Sequence, residues 1–130
     1  MAQEDTESPE AGPGRALTRR MVQLHKEFYG RGPTKAKTYF HNDSIVVLMR
    51  GGFTAVEETL LRAGRGESVA QQRRDFQAVM CEQFNEMVED ITERKVVAFM
   101  NSSHQDPDLI CNIFLLENSD LIDPPNDPVS

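Results

Sequence analysis

Residues 35–50 read Lys35-Ala-Lys-Thr-Tyr-Phe-His-Asn-Asp-Ser-Ile-Val-Val-Leu-Met-Arg50, and this stretch decides the fold. Its first seven residues alternate. Ala36, Thr38 and Phe40 fall on one side, and Lys35, Lys37, Tyr39 and His41 on the other, which is the period of a half-buried strand. Asn42-Asp43 are the residue types of a tight hairpin turn. Ser44 to Arg50 is rich in β-branched residues, which suits a central strand. Gly51-Gly52 then ends it.

Outward from this hairpin the period changes. On the N-terminal side, Leu17, Met21, Leu24 and Phe28 step by four, three and four, which predicts an amphipathic helix over 16–29. Gly30 supplies its C-cap, and Gly32-Pro33 prevents continuation. On the C-terminal side, Thr54-Ala-Val-Glu57 matches a capping box. It opens a short helix to about Ala63, with Val56, Leu60 and Leu61 inward, and Gly64 and Gly66 break it. A long helix over 67–93 carries Phe76, Met80, Phe84, Met87 and Ile91, widened by Val69, Val79 and Val88. Arg74, Gln77, Glu82, Glu86, Glu89 and Glu93 form its wet face. Strands over 96–102 and 109–116, joined by Gln105-Asp106-Pro107-Asp108, make a second hairpin. The last strand is apolar at nearly every position, which argues for burial on both faces or for cover by a partner.

The expected fold is therefore α+β in the order αββααββ. An antiparallel sheet of about four strands, from the two hairpins, has its helices packed on one face. The other face stays open. If it is as apolar as Val46, Leu48, Val97, Phe114 and Leu116 indicate, it needs a cover, and a symmetric homodimer is the simplest one.

The chain has 130 residues and a net charge of −7, unevenly placed. The segments 1–14 and 117–130 hold eight of the 21 acidic residues and no basic one, so the middle of the chain is close to neutral. Residues 1–15 and 118–130 lack the apolar material to offset chain entropy and are expected to be disordered acidic tails around one domain over 16–117. No basic field favours a nucleic-acid partner. No apolar run approaches the ~20 residues of a spanning helix, so no direct membrane insertion is expected. The absence of a secretory leader points to a cytoplasmic protein.

Catalytic and metal groupings are not found. His25, His41 and His104 have no second ligand at metal spacing and read as surface residues. Cys81 and Cys111, thirty residues apart, read as reduced buried hydrophobes. The pairs Glu82–Glu86 and Glu86–Asp90 lie on the wet helix face. The chain is thus expected not to be an enzyme and to need no cofactor. Gly30-Arg31-Gly32-Pro33 is the most informative local string. Its glycines let backbone N–H groups approach an anion and its arginine can fork onto one, although Arg31 bridging loop carbonyls serves the string equally well. Gly64-Arg65-Gly66-Glu67 repeats the pattern before the long helix. Arg73 and Arg74, if they face the Arg31 loop, complete a small cationic patch.

Phe28-Tyr-Gly-Arg-Gly-Pro33, the Lys/Thr-alternating strand, Ile45-Val-Val-Leu-Met-Arg-Gly51 and Thr54-x-x-Glu57-x-x-Leu60 together resemble the MpsC-like family, formerly a domain of unknown function. The resemblance spans about 16–116. It implies a soluble accessory to a sodium-translocating, membrane-potential-generating or inorganic-carbon transport system, peripheral to a membrane complex, and it carries over no active-site residues. The chain departs from the family pattern at Asn101-Ser102, where an acidic residue is expected. The expected function is a non-catalytic interaction protein. The alternative is a small-anion or nucleotide-binding regulatory sensor using Gly30, Arg31, Gly32, Arg73 and Arg74.

Overall fold

The stripe Leu17, Met21, Leu24 forms one side of helix α1 (Pro13–Phe28) in the computed structural model, which describes residues 12–121. Residues 1–11 and 122–130, and with them most of the two acidic tails, lie outside the described residues. Helix α1 starts three residues before its expected Ala16 because Pro13 occupies the first turn. There a missing N–H costs nothing and a fixed φ is already helical. The elements that follow are β1 (Lys35–His41), β2 (Ser44–Arg50), α2 (Ala55–Arg62), α3 (Gly66–Thr92), β3 (Val96–His104) and β4 (Leu109–Leu116). Residues 118–121, read as the start of a tail, form a turn in which Ser119 is buried and its hydroxyl accepts from Leu121 N–H.

The sheet is antiparallel throughout, in the order β1-β2-β4-β3. Each hairpin contributes one interior strand, so β4 lies between β2 and β3, which accounts for its being apolar at every position but Asn112. Helices α1 and α3 cover one face. Their Leu17, Met21, Met80, Phe84, Met87 and Val88 meet Ile45, Val47, Met49, Ile110, Phe114 and Leu116 of the interior strands. Phe84, Phe99 and Phe114 continue this core as contacting rings, with centroids 6.1 and 4.8 Å apart. Asn112 is fully buried in this layer; its side chain accepts from Asn101 and donates to Val47 O.

Register corrects the expected interface set. Phe114 pairs with Ile45 and Leu116 pairs with Val96, so both point toward the helices and are buried in the core. Val46 and Leu48 do lie on the open face, and Val97 is exposed at a bulge in β3. A strand apolar at nearly every position carries little alternation, so its parity is readable chiefly from the strand beside it. Two helix readings also change. Val56 and Val79 face water at 64% and 76% exposure, while Gln77, assigned to the wet face, is buried. His25 is likewise buried rather than on the surface.

Candidate functional site

The first candidate site is built at the end of α1. Tyr29 caps the helix, and Gly30 follows at φ +93°, a backbone region that L side chains rarely adopt, so the chain reverses there. The loop 30–34 is then fastened to the end of β2. Thr34 N–H donates to Arg50 O at 2.7 Å, and Arg31 Nη1 donates to Phe53 O at 3.2 Å. Of the two roles open to Arg31, the structure displays the bridge to a loop carbonyl.

Glu57 is the hub of this region. The capping box of α2 forms as expected, with Thr54 N–H donating to Oε1 at 3.0 Å and Glu57 N–H donating to Thr54 Oγ1 at 3.1 Å. The other carboxylate oxygen accepts from the Tyr29 hydroxyl, from Gln72 Nε2 at 3.3 Å and from Arg73 Nε at 3.4 Å. Glu57 is fully buried and Arg73 is 4% exposed. Arg73 also donates from Nη1 to Asp108 at 3.1 Å, and its guanidinium lies 4.1 Å from the Phe53 ring centroid. A single carboxylate thereby joins α1, α2 and α3, and Arg73 extends the network to the β3–β4 turn. In a capping box the glutamate normally serves its own helix, so the sequence signal for Glu57 pointed to α2 alone.

Burial shapes the titration of the neighbouring groups. It pushes the Tyr29 phenol up to about 12, reinforced by its hydrogen bond to Glu57. Burial also raises Asp108 above the ordinary carboxylate range, against the pull of Arg73. His25 is held below its ordinary value by burial and, less strongly, by Arg73, while the hydrogen bond to Met21 O acts in the opposite direction.

Between α1, α3 and the ends of β2 and β4 lies a pocket lined by Arg31, Arg73, His25, Gln77, Tyr29, Phe76 and the Gly51-Gly52 backbone. Its cavity volume is about 10 Å³, room for one water, and it opens to solvent. Two buried side chains on its walls hold atoms without a partner among the described residues, His25 Nε2 and Gln77 Oε1. Leaving such an atom unpaired costs about 1–3 kcal/mol. Of the expected anion-binding residues, the fold therefore brings Arg31 and Arg73 together. It sends Arg74 to solvent, where it bonds Gln71. Gly30 and Gly32 shape the loop without lining the pocket. Gly66 O accepts from Gln105 at 2.8 Å, which ties the second Gly-Arg-Gly string to the β3–β4 turn. His25 and Gln77 were missed because a polar residue beside an apolar stripe reads as facing water.

The second candidate is the open sheet face. Reading across β1, β2, β4 and β3, its rows are Lys35–Arg50–Leu109–His104, Lys37–Leu48–Cys111–Ser102, Tyr39–Val46–Ile113–Met100 and His41–Ser44–Leu115–Ala98. The middle is apolar, with Tyr39, Leu48 and Met100 exposed, and three cations occupy one corner. No outward strand position carries a carboxylate. With strands ~4.8 Å apart and ~3.4 Å per residue, the face measures on the order of 500 Å², within the range of functional patches.

Among the described residues no group of three or more His, Cys, Asp or Glu side chains is placed to hold a metal ion, and no helix is long and apolar enough to cross a membrane. Residues 14–118 match the model of a family described as Na+-translocating membrane potential-generating system (MpsC). No curated protein and no solved structure matches the chain.

Proposed function

The chain belongs to the MpsC family, and from that premise we propose that it is a non-catalytic accessory protein of a membrane ion-translocating system, docking on an acidic protein segment of that system through its open sheet face. The observation that carries this reading is the face itself, an uncovered apolar centre flanked by Lys35, Lys37 and Arg50 with no carboxylate at any outward strand position. Charge of one sign selects a partner of the other and speeds encounter. A second copy, the homodimer expected from the sequence, is the competing occupant. It sets the same cations against one another in one interface, and like charges brought together cost affinity.

Co-sedimentation with membrane vesicles that contain the ion-translocating complex tests the proposal. The wild-type chain is expected to bind, with binding weakening as salt rises, and Leu48→Asp/Met100→Asp is expected to abolish it. Val79→Asp, on the far side, leaves it unchanged. Equal binding by the face variant, or equal binding to protein-free acidic liposomes, refutes the proposal. So does a wild-type dimer in light scattering that the face variant converts to monomer, which assigns the face to a second copy.

A further inference from the structure

We propose that the pocket between α1 and α3 binds a small oxyanion that still carries a proton. This proposal is independent of the docking face. His25 Nδ1 lies 3.0 Å from Met21 O. A carbonyl only accepts, so Nδ1 carries the hydrogen and Nε2 presents a lone pair. Gln77 Oε1 is a second acceptor, and neither atom has a partner among the described residues. Both residues line the pocket, so this part of its wall asks for a hydrogen-bond donor.

The remaining polar lining has the opposite character. Arg73 spends Nε on Glu57 and Nη1 on Asp108, which leaves Nη2 without a bond among the described residues. Arg31 spends Nη1 on Phe53 O. Both arginines line the pocket, whereas Glu57 and Asp108 do not. A fully deprotonated anion satisfies the arginines but sets its lone pairs against the two acceptors. A cation satisfies the acceptors but meets two guanidinium groups. A group that carries both an O–H and anionic oxygens answers both halves, as a hydrogen phosphate does. The hydroxyl answers the His25 and Gln77 side of the lining, and the anionic oxygens answer Arg31 and Arg73.

Inorganic phosphate and sulfate separate this reading from simple charge attraction, because they share size and shape but only phosphate keeps an O–H near pH 7. NMR titration of the full chain at constant ionic strength is expected to show saturable shifts at Gly51, Gly52 and the His25 ring with phosphate. Sulfate is expected to bind at least about tenfold more weakly. Gln77→Met keeps the side-chain volume and removes the acceptor, and should erase that preference. Arg31→Ala should weaken both anions alike. A glycerol 3-phosphate arm, compared with phosphate at pH 5.5 where the ester also keeps an O–H, identifies the source: tighter binding than free phosphate indicates an esterified phosphate, and equal or weaker binding the free ion. Equal binding of sulfate and phosphate overturns the proposal, as does an unchanged preference in Gln77→Met. The absence of saturable shifts with any of these anions also overturns it and leaves a lone water on the two acceptors.

Discussion

Replacing Glu57 by alanine removes four hydrogen bonds accepted at one fully buried carboxylate, from Thr54, Tyr29, Gln72 and Arg73. The largest cost falls on Arg73. It is 4% exposed and keeps only Asp108 as counter-charge. Breaking a buried ion pair by deleting one partner costs about 3–5 kcal/mol. Loss of the capping contact at α2 adds about 0.5–1 kcal/mol. The terms share atoms and do not sum, so about 3–5 kcal/mol is the expected total, a large part of the ~5–15 kcal/mol that holds a domain together. With a urea slope of ~1.5 kcal/mol/M, the unfolding midpoint should fall by about 2–3 M. Glu57→Gln preserves shape and the bond from Thr54 but not the charge, and should lose about 1.5–3 kcal/mol. A double-mutant cycle with Arg73→Met should give a coupling of about 2 kcal/mol or more, with the double variant less damaged than the two single losses imply. A Glu57→Ala loss under ~1 kcal/mol, or a coupling near zero, would refute the assignment of Glu57 as the hub.

Two further expectations concern the same region. His25 has a folded pKa below its ordinary 6.5, so the unfolded chain binds the proton more readily. Its stability contribution is present above pH 6.5 and is lost as pH falls through the folded value, which His25→Phe should flatten in denaturation midpoints compared at pH 7.5 and 5.5. At Gly51, φ is +82° and an added Cβ would lie 2.6 Å from Thr34 Oγ1, whereas at Gly30 it would meet nothing within 4 Å. Gly51→Ala should therefore lower the melting temperature more than Gly30→Ala, and equal losses would show that backbone strain alone sets the cost.

The parts of the fold that were legible came from short-range chemistry. Alternation over 35–41, the turn at Asn42-Asp43 and the Thr54–Glu57 box fixed β1, β2 and the start of α2 as they stand. What escaped depends on tertiary neighbours. Phe114 and Val46 look alike in an apolar run, and only pairing with Ile45 and Ile113 sends them to opposite faces. Val79 is exposed and Gln77 buried because α3 packs on α1 and α2 as well as on the sheet, neighbours that no local pattern reveals. The candidate site was half legible: Arg31 and Arg73 were named, but the carboxylates that pair Arg73 lie 16 and 35 residues from it, beyond the reach of any local pattern.

The sheet order carries one more consequence. Strands β2 and β4 meet along a single seam, with α1, β1, β2 and α2 on one side of it and α3, β3 and β4 on the other. The exposed Ala63-Gly64-Arg65 link is where these halves are spliced. A nick there would leave two fragments with complementary strand edges and complementary charges, Glu57 on one and Arg73 on the other, so the architecture is that of two pieces able to find each other again without the covalent tie between them.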